Sequence, residues 1–245
     1  MNVDEARQKL TTYLGFLEQD PDNANLIREA GIAAVEADET NVANDLFSKL
    51  DKMGTLLEED FNQAGMTAMR SGDQKRAQRL FGTLLKNHPN DSALKFNLAW
   101  SFALDKDFEL AQAQLDDATI EALPQAAMLD LQLRHERGEF EDAAQVAQDY
   151  LRRHGDYQPL LAAISVLAMD VEDENLAREC ATRAGNHPDA LATLATLELG
   201  EQNNAGARIK FEQALKQNPH SPRAWIGLGL TEIASGNNDA ALASL

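Results

Sequence analysis

The residues that could support catalysis or bind a metal are few in this chain, and they are scattered along it. The sequence has one cysteine and five histidines. A single cysteine cannot form an internal disulfide or a cysteine-based metal cluster. Because Cys180 lies in the alanine-rich helical stretch 176–184, we expect a buried thiol rather than a nucleophile. The histidines are His88, His135, His154, His187 and His220, and four of them fall at predicted helix ends or turns.

A run of carboxylates at 170–174 is the other candidate for chemistry. It could attract a calcium ion weakly, but it lacks the alternating ligands and central glycine of a calcium loop. A solvated turn is the preferred interpretation. The sequence contains no HExxH spacing, glycine-rich phosphate loop or Gly-x-Ser-x-Gly motif. We therefore predict no catalytic residues, no metal site and no cofactor.

The charge balance excludes one class of partner. With 40 acidic against 22 basic residues the formal charge is −18, whereas nucleic-acid binding requires a clustered positive field. The basic cluster 152–154 is typical of a helix C-terminus. No stretch approaches the roughly 18 apolar residues of a membrane span, and the opening MNVDEARQKL is neither a signal peptide nor an anchor. We expect a cytoplasmic protein without membrane insertion, and leave open a signal in a longer natural chain.

The elements that would position any site are helices, since helix-forming residues dominate and no segment alternates apolar and polar residues. The segment that starts at Glu58 sets the pattern, with small residues on one helix, a turn at Gly72-Asp73, and an aromatic residue on the next helix. Its members are Phe61, Ala64, Gly65, Ala68, Ala77, Phe81 and Leu84. The frame recurs at 24 and 92, which gives a period of 34 residues. Small residues at a crossing point allow two helix backbones to approach closely, and we expect the aromatic residue to fill the gap between neighbouring hairpins.

These residues closely resemble the tetratricopeptide repeat pattern, a family of antiparallel helix hairpins stacked in series. The resemblance implies an all-α fold, a right-handed superhelical solenoid. We assign 24–245 to the repeat array, with units starting near 24, 58, 92, 124, 158, 188 and 222. Residues 1–23 are predicted to form an N-terminal helix that acts as a cap or half repeat. Its apolar residues are Leu10, Tyr13, Leu14 and Leu17.

Three places depart from the pattern. In the unit at 124, Asp130 and Arg134 fall where the family has apolar residues; we prefer a shifted helix register to the alternative, an i,i+4 ion pair. We also expect irregular stacking between 119 and 190. The last predicted helix begins near Asp239 and is cut off at Leu245. We expect the natural protein to continue there, the alternative being pairing of this face with a second copy.

In this family the first helix of each hairpin lines the concave face, so the resemblance also implies a peptide-binding groove. The residues at the groove positions include Asn62, Met66, Met69, Phe96, Asn97, Trp100, Met128, Gln132, Val166 and Met169. Other groove positions carry Arg28, Thr193, Thr196, Ile226, Leu230 and Ile233. Trp100 and Phe96 stand out because the packing positions of their unit are already filled by other residues. The competing interpretation is that the next repeat buries them.

The function that follows is a protein–protein interaction scaffold or adaptor that binds a peptide or amphipathic helix in this groove. Acidic rims favour a basic or amphipathic partner. The cationic clamp with which some family members hold chaperone tails is mostly missing here. Two alternatives remain at this point: a regulatory or substrate-recruiting arm of a larger enzyme such as a transferase, and a self-associating array. A homo-oligomer through the last, uncapped repeat belongs to the second alternative.

Overall fold

The computed structural model describes residues 2–237, and within them the protein is all-α, without a strand. It has the helical repeat fold that the sequence predicts, so the predicted fold class is confirmed. The chain divides into two compact units, Met1–Thr119 and Ile120–Leu245. No helix in the described range is both long and apolar enough to cross a bilayer.

The first unit consists of paired helices. They are α1 (Val3–Leu17), α2 (Ala24–Glu36), α3 (Thr40–Lys52), α4 (Phe61–Arg70, after a 3-10 turn at Glu58–Asp60), α5 (Gln74–Asn87), α6 (Ser92–Leu104) and α7 (Phe108–Ala113). The short helix α8 (Asp117–Ala122) spans the unit boundary. From α1 to α7, each helix packs against the next. A single helix hairpin leaves one of its apolar faces exposed to solvent. Packing against the neighbouring hairpin buries that face.

The second unit repeats this arrangement. Its helices are α9 (Pro124–Glu136), α10 (Phe140–His154), α11 (Gln158–Asp170), α12 (Glu174–Ala184), α13 (Pro188–Gly200), α14 (Asn204–Gln217) and α15 (Pro222–Ala234). Each helix packs on the next, and the first helices α9, α11, α13 and α15 also touch one another in that order. The predicted last helix at 239–245 lies outside the described residues. The assignment of 1–23 and 24–245 to separate parts of the chain stays a prediction.

Close helix approach is built on two glycines of the first unit. A Cβ atom added at Gly31 would lie 3.2 Å from the Phe47 ring, and one at Gly65 would lie 2.7 Å from the Phe81 ring. Both phenylalanines are fully buried. Each aromatic ring therefore occupies the space that a side chain would need within its own hairpin, and not between neighbouring hairpins as we expected.

The same turn follows seven described helices, the first helix of each repeat unit. Its central residue has φ between 59° and 86°, and the next residue donates its N–H to the carbonyl oxygen five positions earlier, at 2.8–3.0 Å. This is a Schellman motif, which closes the helix and needs a left-handed residue. The central residues are Asp38, Gly72, Lys106, Gly138, Glu172, Gln202 and Gly236. Four of the seven turns thus place a side chain in a conformation that favours glycine.

The N-terminal helix and the third hairpin differ from the prediction. Leu10 is buried, but Leu14, predicted on the same apolar face, is 37% exposed. In the third hairpin the predicted second helix stops at Ala113, and α8 starts after Asp116. The Asp116 carboxylate accepts from Lys95 Nζ at 2.6 Å and from the Thr119 N–H at 2.9 Å. These bonds lower the pKa of Asp116 to about 2, and they satisfy a backbone donor at the start of α8. The break lies just ahead of the range 119–190 where we expected irregular stacking.

The register shift proposed for the unit at 124 is wrong. Helix α9 begins at Pro124, as the unshifted frame requires, and Asp130 is 1% exposed. Its carboxylate accepts from Arg134 Nε at 2.7 Å and from Tyr150 Oη at 2.8 Å. The alternative i,i+4 ion pair is therefore the one that forms. A buried carboxylate is tolerated here because charged and neutral donors both reach it.

A glycine-to-alanine pair tests the close approach. Gly65→Ala should destabilise the protein by about 1–3 kcal/mol, because the new methyl group overlaps the buried Phe81 ring. Gly82→Ala should be neutral or stabilise by up to about 1 kcal/mol, since nothing lies within 4 Å of its Cβ position and alanine is the better helix former. Urea unfolding followed by circular dichroism measures both. Equal midpoints for the two variants would contradict the packing argument.

Substitutions at the central residues of two of these turns should change the free energy of unfolding in opposite directions. Lys106→Gly should raise the free energy of unfolding by about 0.5–1 kcal/mol, because glycine adopts the left-handed backbone conformation of this turn without the steric cost that lysine incurs. Gly138→Ala, at the equivalent turn of the next hairpin, should lower it by about 1 kcal/mol. Thermal unfolding of the two variants beside the parent chain is the measurement. A loss of stability in Lys106→Gly would show that the Lys106 side chain makes a contact that outweighs the strain.

Candidate functional site

Cys180 and three of the five histidines occupy structural positions. Cys180 is fully buried, and desolvation raises the pKa of its thiol to about 11. His187 caps α13 through its Nδ1, and His154 Nε2 lies 2.7 Å from the Ile120 carbonyl oxygen. His135 Nε2 lies 2.8 Å from the carboxylate of Asp170. Among the residues that the structure describes, no three His, Cys, Asp or Glu side chains are grouped to hold a metal ion.

Two residues of the acidic run at 170–174 make separate structural contacts. Asp170 ends α11 and faces His135 on α9, while Asp173 caps α12 by accepting from the Leu176 N–H at 3.0 Å. The carboxylates do not converge on one point. The run is therefore a turn between α11 and α12 in which Asp173 also caps α12.

Helices α4 and α6 carry six of the ten predicted groove residues, five of which lie on the surface that these helices form. Asn62 is exposed and Asn97 half-buried, and the Asn97 amide donates to Asn62 Oδ1 at 3.5 Å. Met66 is half-buried beside them. Met69 is 5% exposed and belongs to the core cluster with Phe81. Its assignment to the groove is wrong, because α4 turns this side chain toward the neighbouring helices.

An apolar row on α6 dominates this surface. Trp100 is 41% exposed, and its ring meets the half-buried Phe96 ring edge to face, with 5.4 Å between centroids. Leu104, which the sequence analysis did not consider, is 49% exposed and continues the row one turn further on. Its i,i+4 spacing from Trp100 is the signal that could have identified it. We call Phe96, Trp100 and Leu104 the α6 row.

The cation at a predicted groove position of α2, Arg28, already has partners within the protein. Arg28 donates from Nε to Asp60 Oδ2 at 2.6 Å and also pairs with Glu59. The hydrogen bond to Asp60, which is itself 4% exposed, raises the pKa of the Arg28 guanidinium. Since its donors are committed within the protein, Arg28 is not presented to a ligand carboxylate.

The second unit holds the remaining four predicted residues, on α9 and α11. Gln132 is exposed, whereas Met128, Val166 and Met169 are half-buried. Thr193 on α13, another predicted groove position, is fully buried and accepts from Ser165 Oγ at 3.3 Å. That assignment is wrong because two small hydroxyl residues let α11 and α13 pack closely. The ten residues thus form two separate sets, one in each unit.

Comparison with known proteins agrees with this geometry. The family model described as tetratricopeptide repeat matches residues 62–127 and 192–245. These two segments of the chain are therefore tetratricopeptide repeats. Tetratricopeptide repeats generally mediate protein–protein interactions and are typically non-catalytic scaffolds. No curated protein matches the chain in sequence.

Solved tetratricopeptide repeat structures share the fold at low sequence identity. Yeast Tom70 is 15% identical with a TM-score of 0.67, and the match covers 99% of this chain and 54% of that chain. A chain of the APC/C hetero-tetramer Cut9–Hcn1 is 13% identical with a TM-score of 0.64, covering 93% and 46%. PilF of Pseudomonas aeruginosa is 14% identical with a TM-score of 0.63, covering 76% and 88%. This chain spans about half the length of the Tom70 and Cut9–Hcn1 chains.

The burial of Cys180 has a direct chemical consequence. Because only the thiolate reacts with iodoacetamide, the native protein should be alkylated at mildly alkaline pH at least about 100-fold more slowly than the protein in concentrated urea. Mass spectrometry of quenched samples gives both rates. Cys180→Ser is the control for other labelled sites. Similar rates in the two states would place the thiol at the surface.

Proposed function

We propose that this chain is a protein-interaction module that binds a peptide or amphipathic helix of a partner on the face of its first unit formed by α4 and α6. The observation that supports this most directly is the α6 row, in which an exposed tryptophan is held by an aromatic neighbour. Tryptophan is the residue type most enriched among side chains that dominate binding energy. Its restricted rotation against Phe96 also lowers the entropy lost on binding.

The surroundings of the α6 row suit a polypeptide ligand. The amides of Asn62 and Asn97 can each donate to and accept from a peptide backbone, and Met66 offers a thioether that adapts to different side chains. An apolar centre with polar groups at its edge is the usual composition of a protein interface. Asn62, Met66, Phe96, Asn97 and Trp100 therefore remain our candidates in this unit, and Leu104 joins them. In the second unit Met128, Gln132, Val166 and Met169 remain candidate ligand contacts of that unit.

The charge of the chain favours a basic or amphipathic partner. With a formal charge of −18, the protein attracts positively charged segments and repels acidic ones at low ionic strength. The apolar row would then supply most of the affinity, and the charge would act mainly on the association rate. We assign no catalytic role to this chain, because Cys180 is buried and His135, His154 and His187 cap a helix or contact neighbouring groups.

Replacement of Trp100 tests the proposal. Peptides selected from a random library displayed on phage against the immobilised chain supply the probe, and isothermal titration measures their affinity. Trp100→Ala should weaken binding by about 2 kcal/mol or more, roughly 30-fold, because a buried anchor is lost. The unfolding midpoint should change little, since the side chain is 41% exposed.

The matched control is Leu110→Ala. Leu110 lies in the same unit, on α7, and is 50% exposed, so its removal deletes a comparable apolar surface outside the proposed site. It should leave affinity unchanged within about 0.5 kcal/mol. If Trp100→Ala and Leu110→Ala bind the selected peptides as tightly as the parent chain, the α6 row is not the binding surface.

A further inference from the structure

An open cleft at the turn between α10 and α11 reverses the charge balance of the chain. Its volume is about 420 Å³, within the range of small-ligand sites. Of the nine described residues that line it, three are arginines and one, Asp156, is acidic, whereas the whole chain has 40 acidic against 22 basic residues. The arginines are Arg152, Arg153 and Arg183. The basic cluster 152–154 is thus one part of a larger cationic group.

The helix dipole alone does not explain the residue types in this group. Cations in the last turn of a helix complement its negative end, and α10 and α12 carry Arg152, Arg153 and Arg183 there. The second helices α3, α5 and α14 carry only lysine in the same place. Arginine differs from lysine in its planar guanidinium, which donates to two oxygens of one carboxylate or phosphate at once. Arginine at this turn therefore favours an oxyanion ligand.

Gly155 allows arginines from two helices to reach one cleft. Arg183, on α12, donates from Nη2 to the Gly155 carbonyl oxygen at 2.7 Å, so its guanidinium lies against the end of α10. A Cβ atom added at Gly155 would lie 2.9 Å from that nitrogen, closer than non-bonded atoms normally approach. On the same turn His154 Nε2 donates to the Ile120 carbonyl oxygen at 2.7 Å. The turn that carries Arg152 and receives Arg183 is therefore held by hydrogen bonds.

The present ion pairs of these arginines are exposed and easily exchanged. Arg152 contacts Asp149 at 2.8 Å, and its side chain is 78% exposed. Arg183 contacts Glu179 at 3.2 Å, and both residues are exposed. Because exposed ion pairs contribute little to stability, a ligand anion can replace these carboxylates at small cost. Both terminal nitrogens of Arg153 contact carboxylates, so Arg153 adds mainly to the local positive field.

We propose that this cleft binds a phosphate monoester, with Arg152 and Arg183 as the main ligands of its oxygens and Tyr157 as a further donor. A phosphate monoester carries a charge of about −1.5 to −2 near neutral pH and three acceptor oxygens. It can therefore accept from two guanidinium groups and a hydroxyl together, more completely than the two oxygens of a carboxylate can. The Tyr157 phenol lines the same cleft.

The site is separate from the proposed peptide-binding surface. None of the candidate groove residues is among the described residues that line the cleft. The monoester can belong to a small molecule or to a phosphoserine side chain of a polypeptide, because the group that the arginines recognise is the same in both.

Nuclear magnetic resonance of the isotope-labelled whole chain measures binding at the site itself. The probes are glycerol phosphate and a capped glycine–phosphoserine–glycine tripeptide, and the control ligand is the same tripeptide with glutamate in place of phosphoserine. The backbone amide signals of Gly155 and Tyr157 should shift saturably with a monoester, with affinity at least about fivefold higher than for the glutamate tripeptide. The probe with the higher affinity identifies the source of the monoester.

Arginine variants provide the second half of the test. Arg183→Gln should weaken monoester binding at least about tenfold, and Arg152→Gln, at an exposed position, provides a second variant should the first unfold. Arg178→Gln is the matched control. Arg178 lies on the same helix, contacts the exposed Glu201 at 2.6 Å and is not among the described residues that line the cleft. Its replacement removes the same charge and should leave affinity within about twofold.

Three results would overturn the proposal. The first is that neither monoester shifts the Gly155 and Tyr157 amides saturably at concentrations up to about 20 mM. The second is that the glutamate tripeptide binds as tightly as the phosphoserine tripeptide, which would assign the cleft to carboxylates. The third is an equal loss of affinity in Arg183→Gln and Arg178→Gln, which would show that overall charge, and not the cleft, attracts the anion.

Discussion

Close contact between helix backbones and a buried aromatic ring is the constraint on which the rest of this fold depends. Where Gly65 meets Phe81, the ring takes up the volume that any side chain would need. Phe211 does the same across hairpins, since a Cβ atom at Gly227 would lie 2.2 Å from its ring. These contacts fix the distance between helices, and the distance fixes which residues of each first helix remain outside the core. The exposed apolar side chains of α6 (Trp100 and Leu104) and α15 (Ile226, Leu230 and Ile233) are those that this packing leaves outside the core.

The sequence predicts those features that depend on residues within one repeat, and it predicts poorly those that depend on how neighbouring helices pack. The repeat spacing identified Gly65 and Phe81 as packing residues, but it placed the ring between neighbouring hairpins, whereas the structure packs it against Gly65 of its own hairpin. The fully buried Thr193 and the nearly buried Met69 were misassigned because exposure depends on how far a helix is rotated against its neighbours, which the spacing does not specify. Leu104 was missed for the converse reason, since it lies one turn beyond the positions that the family pattern marks.

Charged residues were the other source of error. Asp130 looked out of place because carboxylates are rarely buried, yet Arg134 and Tyr150 supply donors to it. Those partners lie 4 and 20 residues away, and only the packed hairpin brings the second one into contact. Asp116 similarly ends one helix pattern and starts another by combining a backbone donor with Lys95. Asp130 has low propensity for a buried helix interior and is accommodated because its hydrogen bonds are satisfied, whereas Asp116 lies where aspartate is a favoured helix cap.

The left-handed turns at Asp38, Lys106, Glu172 and Gln202 imply an uneven resistance to local opening along the chain. A repeat protein can open hairpin by hairpin, because each contacts only its neighbours. Turns with glycine as the central residue adopt the left-handed conformation without backbone strain. In the other four turns a non-glycine residue is held in this strained conformation. Amide hydrogens in the hairpins with strained turns are therefore the ones expected to exchange with solvent first. Flexibility in this molecule would then be distributed by turn chemistry, independently of the apolar surfaces.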